Sequence, residues 1–310
     1  MMATEPRRIA VTGSSGFVGT WLRRKIEEDG RHVLLPILSR GSGDLRDVEA
    51  VVAAVKGARP DVVVHLAAIA APPQARMNPR EAWEINVVGT LNLATAVRDL
   101  APQARFLFVG SSEAYGGAFS DQRYPLSEEV RLDPRSTYGS TKAAADLLIG
   151  EMAYNGLQAL RFRPFNHTGP GQTASYVVSA FARQIALIEK GVQPPRIQVG
   201  NLEAKRDFLD VRDVVRAYLA ATEDDVKANG DAINIATGRL VQIEDILRQL
   251  LDLASVRIEV EIDPTRYRPN EIQAASGNPE RARQRLGWEP EIDLATTLQD
   301  TLNYWRGQIQ

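Results

Sequence analysis

The 310-residue chain contains no cysteine. Disulfides, a thiolate nucleophile and thiolate metal ligands are thereby excluded, and three scattered histidines cannot compose a histidine-rich metal site. Excess charge is also missing: 37 Lys and Arg stand against 39 Asp and Glu, a formal net charge of −2. That balance offers neither the basic field that attracts nucleic acid nor a polybasic membrane anchor, so a small molecule is the expected partner. No apolar run approaches the roughly 18 residues of a spanning helix. The opening "MMATEPRR" leads into a short strand rather than a secretory apolar segment, and the cytoplasm is the expected location.

What the chain does have is length and apolar content, 44% hydrophobic residues, enough for a large α/β unit carrying a second lobe. Apolar runs alternate with amphipathic stretches. Strands are expected at residues 9–12, 33–38, 62–66, 106–109 and 157–163, with helices to residue 28, from about 47, from about 80 and over 138–155. Strands alternating with helices of this length indicate an α/β fold, a Rossmann-type doubly wound parallel sheet covered on both faces. After Pro164 the pattern loosens, and Pro and Gly become frequent in "HTGPGQ", "GVQPPRIQVGN" and "YRPNE". The expected division is residues 1–166 as the nucleotide-binding domain, with segments returning from the C-terminal half, and 167–310 mainly as a smaller α+β substrate lobe containing helices over 177–189 and 243–253.

"AVTGSSGFVGTWL" joins the first strand to the first helix and spaces Gly13, Gly16 and Gly19 as G-x-x-G-x-x-G. Gly13 permits a tight turn, Gly16 lets backbone N–H groups approach a pyrophosphate, and Gly19 lets helix and sheet pack closely. Ser15, Phe17 and Val18 complete the expected cofactor loop. At the end of strand two, where an acid would hold a ribose 2'-hydroxyl, stand Ser39 and Arg40. A guanidinium pairs with a 2'-phosphate, so NADP(H) is preferred and NAD(H) is the alternative. Asp44 and Leu45, with Leu66, Ala67 and Ala68 at a small-residue strand end, are expected to line the adenine and pyrophosphate. Pro164, after the last main-domain strand, is a further expected cofactor contact.

Two stretches carry the chemistry. "STYGSTKAAAD" sets Tyr138 and Lys142 four residues apart on one helix face, where an ammonium would lower the phenol's pKa for proton exchange near neutrality. "FLFVGSSEAYGG" places Glu113 between two serines and a tyrosine. Glu113 could be a base, a ligand for sugar hydroxyls or a solvated loop charge.

With the glycine loop, "DLRD", "HLAA", "NVVGTLNL", "SSEAYG", Tyr138-x-x-x-Lys142 and "RPFNHTGPGQ" along essentially its whole length, the chain resembles the extended short-chain dehydrogenase/reductase family. The resemblance implies Tyr138 as the acid/base, Lys142 as its partner and a ribose ligand, and Ser111 as the hydroxyl that orients the substrate oxygen. "VGNLEAKRDFLDVRDV" and "YRPNE" look like the substrate lobe of members acting on GDP-mannose derivatives. There Arg206 and Arg268 can neutralise a diphosphate, and Glu271 can accept from ribose hydroxyls. Asn166 and Ser112 can hold sugar or phosphate oxygens, and Lys190, in the helix-ending "IEKG", is a weaker candidate.

Two activities compete. One is NADPH-dependent reduction of the C4 ketone of GDP-4-keto-6-deoxy-D-mannose to GDP-D-rhamnose, with Glu113 a sugar ligand. The other is GDP-mannose 4,6-dehydration, with Glu113 as the base. The short "SRGSG" after strand two and the loop "SGFVG", where the dehydratases carry a polar residue before the last glycine, favour the reductase. A non-enzymatic NADP-binding protein is the remote third reading, disfavoured because the Ser, Tyr and Lys are all kept. The resemblance also implies a homodimer through helices over 83–100 and 138–154.

Overall fold

The computed structural model describes residues 6–39, 41, 43–121, 124–266 and 272–309. In chain order its main-domain elements are β1 (Arg7–Thr12), α1 (Phe17–Asp29), β2 (His32–Pro36), α2 (Val48–Ala58), β3 (Val62–His65), α3 (Pro72–Met77), α4 (Pro79–Trp83), α5 (Gly89–Leu100), β4 (Arg105–Val109), α6 (Ala118–Asp121), α7 (Thr137–Tyr154) and β5 (Ala159–Pro164). There follow β6 (Asn166–Thr168), α8 (Val177–Glu189), β7 (Arg196–Val199), β8 (Lys205–Arg206), β9 (Phe208–Asp210), α9 (Val211–Ala220), β10 (Asn229–Ile235), β11 (Val241–Gln242), α10 (Ile243–Asp252), β12 (Glu259–Ile262), β13 (Ala274–Ala275), α11 (Glu280–Leu286) and α12 (Leu294–Gln308).

Six strands form a parallel sheet in the order β2-β1-β3-β4-β5-β10. Its reversal between β1 and β3 opens a crevice at the strands' carboxyl ends, where ligands of doubly wound folds bind. The strand sequences explain the two covered faces, because successive side chains point to opposite sides. Val62, Val64, Leu107 and Phe162 pack with α1, α9 and α11. Val63, Phe106 and Phe108 pack with α2, α5 and α7. The late elements α9, β10 and α11 thus return to the first domain, while α8, α10 and α12 enclose a separate core with Ile197 and Val199.

Two expectations change. Strand two ends at Pro36, and Leu38 adopts a positive φ of 49° that turns the chain off the sheet. The helix expected from about residue 80 is built in pieces, a short helix that Pro79 begins and a π-helical turn at Glu84–Val88 before α5, and a further short helix begins ahead of it at Pro72. Proline starts helices well because its absent N–H has no intrahelical partner at that position. Such π turns concentrate at functional sites, and this one buries Asn86, whose amide is bonded to Ile69 and Thr141.

Candidate active site

Gly13 has φ +69°, and a Cβ there would stand 2.8 Å from the Ala67 backbone nitrogen. A Cβ on Gly19 would stand 2.4 Å from the Gly13 carbonyl oxygen. Glycine is therefore required for β1, α1 and the loop after β3 to approach so closely. Helix α1 has neither a side-chain cap nor an acidic residue in its first turn. Its first N–H groups are left to an anion, so the loop fits a dinucleotide diphosphate. Leu66 and Ala67 donate their backbone N–H groups to Thr12 O (3.3 Å) and Thr12 Oγ1 (3.2 Å), which brings the 66–68 segment against the glycine loop.

The other expected cofactor residues divide. Asp44 is bound by Arg46 (Nη2 to Oδ2, 2.6 Å), and that hydrogen bond holds its carboxyl below the usual range. Leu45 is buried in the core over α2 and α5, and its carbonyl accepts from Asn92 at 2.9 Å. Arg40, on which the NADP preference leaned, lies outside the described residues, as do Arg268 and Glu271.

The catalytic loop leaves β4 at Gly110, whose N–H donates to Phe162 O at 2.8 Å. Ser111 caps a short 3-10 turn at Ser112–Ala114, accepting from Glu113 N–H at 3.2 Å, and its hydroxyl lies beside Tyr138. Ser112 is buried beside it. Ser136 caps α7, accepting from Gly139 N–H at 3.0 Å, and its hydroxyl donates to Glu113 Oε2 at 3.3 Å. A Cβ on Gly139 would stand 2.6 Å from the Glu113 carbonyl oxygen, so the turn and the start of α7 are in direct contact. Glu113 is therefore half-buried against the start of α7, bonded to Ser136, and is not a free loop charge.

Tyr138 and Lys142 do share a helix face, but the expected electrostatic relation between them is not the one the protein sets up. The Lys142 ammonium donates to Val109 O at 2.8 Å and lies 5.4 Å from the Phe108 ring centroid. Burial pulls it down to about 8. Burial pushes the Tyr138 phenol up, opposed by the neighbouring Ser111 hydroxyl and reinforced by the proximity of Tyr176 and Glu113. The reason is desolvation, which disfavours the charged form of each group.

Behind this pair runs a buried polar chain that the sequence did not disclose. His65 pairs with Thr12 Oγ1 (2.7 Å) and Thr90 Oγ1 (2.9 Å), and Thr90 donates to Asn86 O (2.7 Å). The Asn86 amide accepts from Ile69 N–H (2.8 Å) and donates to Thr141 Oγ1 (2.9 Å), which donates to Tyr138 O (2.9 Å). The glycine loop, the π turn and the catalytic helix are thereby joined. The signals were Asn86 in "NVVGT" and His65 in "HLAA", polar residues inside apolar runs.

On the opposite side, Pro164 ends β5 and Asn166 begins β6. His167 stacks on Phe17 with ring centroids 6.2 Å apart, and Trp21 Nε1 donates to Pro170 O at 2.8 Å. Asn166 is thus carried close to the glycine loop. Tyr176, immediately before α8, was not anticipated. Lys190 is exposed at the far end of α8, about 20 Å along the helix from Tyr176 at 1.5 Å per residue, and is not brought to the catalytic cluster. Arg206 lies on β8, between β11 and β13. The adjacent Asp207 is buried and accepts from Thr237 Oγ1 (2.6 Å), Thr237 N–H (2.9 Å), Gly238 N–H (2.9 Å), Ser276 Oγ (3.0 Å) and Gly277 N–H (3.3 Å). Among the described residues no group of three or more acidic or histidine side chains could hold a metal, and no helix is long and apolar enough to cross a membrane.

Comparison with known proteins agrees with this fold. A family model described as GDP-mannose 4,6 dehydratase matches residues 37–301. The chain is 35% identical to the GDP-6-deoxy-D-mannose reductase of Pseudomonas aeruginosa, over 98% of this chain and 99% of that protein. It is 27% identical to a GDP-mannose 4,6-dehydratase of Yersinia enterocolitica, over 81% of this chain and 74% of that one. The solved structure of RMD from Pseudomonas aeruginosa complexed with NADPH superposes with a TM-score of 0.88 at 33% identity, covering 98% of this chain and all of that one. The chain belongs to the GDP-mannose 4,6 dehydratase family of extended short-chain dehydrogenases/reductases.

Proposed function

We propose that the protein is an NADPH-dependent ketoreductase that reduces the C4 ketone of GDP-4-keto-6-deoxy-D-mannose to GDP-D-rhamnose. The observation that carries this reading is the placing of the Ser111 hydroxyl beside the Tyr138 phenol at the ends of β4 and α7, in a chain similar over its full length to a GDP-6-deoxy-D-mannose reductase. When bound, NADPH supplies the hydride that adds to C4. Ser111 and Tyr138 hold the carbonyl oxygen between two hydroxyl donors, and Tyr138 gives its proton to that oxygen as the ketone becomes an alcohol. A buried phenol that is hard to ionise is suited to remain protonated until this step. The Lys142 ammonium, one helical turn away and held by Val109 O, is placed for the cofactor ribose, and solvent returns the proton to the phenolate. Glu113 accepts from a sugar hydroxyl, and Arg206 faces the diphosphate.

The active form we propose is a cytoplasmic homodimer. On the helices expected to pair, Trp83, Val88, Leu91, Leu147 and Tyr154 all leave at least 40% of their surface exposed, an apolar face of the kind that a second copy covers.

The position of Glu113 beside Tyr138 also favours a second reading, GDP-mannose 4,6-dehydration with Glu113 as the C5 base. Paired assays separate the two. With GDP-4-keto-6-deoxy-D-mannose and NADPH, loss of reduced-nicotinamide absorbance is expected. With GDP-mannose and catalytic NADP, no keto sugar is expected, and its formation would make Glu113 the base.

A further inference from the structure

Beneath the catalytic loop lies a set of buried charges with no part in that scheme. Asp146, one turn beyond Lys142 on α7, is 1% exposed. Its carboxylate accepts from Arg163 Nη2 (2.8 Å), Arg163 Nε (3.0 Å) and Arg161 Nη1 (2.6 Å). Arg163, 4% exposed, also donates through Nη1 to the Tyr115 hydroxyl (3.0 Å) and to Glu128 O (3.1 Å). Its guanidinium stands 5.2 Å from the Tyr115 ring centroid. The fully buried Tyr115 in turn donates to Asn234 Oδ1 at 2.8 Å. Asn234 is fixed by Leu126 O (2.9 Å) and by Glu128 Oε1 (2.7 Å).

A buried ion pair is no efficient route to stability, since apolar side chains of similar volume would fill the space at least as well. Its placement suggests another use. Tyr115 ends the turn that Ser111 begins, its N–H donating to Ser112 O at 3.0 Å. At the other end, Asp146 Oδ2 lies 3.7 Å from where a Cβ on Gly110 would sit. The network therefore grips the loop on both sides of Ser111 and is mounted on the helix that carries Tyr138 and Lys142. Loop and helix are the two pieces whose separation sets the Ser111–Tyr138 contact, and a small misplacement of reacting groups is costly to rate.

We propose that the buried Arg163–Asp146 pair, acting through Tyr115, is a positioning clamp that holds Ser111 in register with Tyr138. It rests on the assignment of Ser111 and Tyr138 as the groups that bind the reacting oxygen. Tyr115→Phe removes one hydroxyl without changing shape. The expected result is a loss of about tenfold or more in kcat, with KM for the sugar nucleotide and Kd for NADPH within about twofold of the unaltered enzyme. Added to Ser111→Ala, the same change is expected to cost less than about twofold, because its effect runs through Ser111. An unchanged kcat with a lowered Tm, or losses that multiply in the double variant, would overturn the clamp. If Tyr115→Phe does not fold, Arg163→Lys, which keeps a cation for Asp146 but removes the Nη1 donor to the Tyr115 hydroxyl, is read in the same way. The cycle is run on whichever GDP-sugar reaction the unaltered enzyme catalyses. Failure of the reductase reading then appears in the unaltered enzyme, and failure of the clamp only in the variants.

Discussion

The two walls of the crevice are built differently. The wall proposed for catalysis consists of the ends of β1, β3, β4 and α7, and its groups Ser111 and Lys142 are buried and each bonded to the backbone. The wall proposed to receive the substrate rests on the two-residue strands β8, β11 and β13, gathered by the single carboxylate of Asp207. Rigid chemistry on one side and lightly supported recognition on the other is an arrangement in which substrate preference can change without disturbing the reaction. That contrast fits a family in which reductases and dehydratases share one fold.

The contrast can be broken most severely at Tyr138. Tyr138→Phe is expected to lower kcat by about a thousandfold while NADPH binding, followed by fluorescence titration, survives. Next comes the buried chain behind it. Burial holds His65 down to about 3 against its ordinary 6.5. The folded value is the lower one, so the stabilisation from a neutral His65 is complete above pH 6.5 and is lost as pH falls toward 3. Between pH 7 and pH 4 this amounts to about 3 kcal/mol. A thermal melting series should show a steeper acid loss in the native chain than in His65→Gln, which starts from a lower Tm. The smallest of the three effects belongs to the substrate wall: Arg206→Ala should raise KM for the sugar nucleotide about tenfold to a hundredfold and leave kcat nearly unchanged. A large fall in kcat instead would show that the two walls are not separable.

Much of the catalytic wall was legible because its signals are local. The spacing of Gly13, Gly16 and Gly19, and of Tyr138 and Lys142, is set by one turn and one helix. What was not legible depends on residues far apart in sequence. Tyr115 meets Asn234 across 119 positions and His65 meets Thr12 across 53, and no periodicity records such pairings. The direction of the Tyr138 shift escaped for a related reason. Four-residue spacing put an ammonium within reach, but Lys142 turned to the Val109 carbonyl that the β4 terminus offers, and burial decided the rest. The proline-segmented path through α3, α4 and the π turn was hidden because its amphipathic pattern continues across the breaks.

The stacking of His167 on Phe17 and the bond from Trp21 to Pro170 tie the first residues of the cofactor helix to the strand and loop that lead into the substrate lobe. With cofactor and substrate placed as proposed, nucleotide and sugar nucleotide are received by parts of one strut. Any stiffening of that strut by one ligand is felt by the other, and to the same extent in both directions, because a coupling free energy has no preferred order.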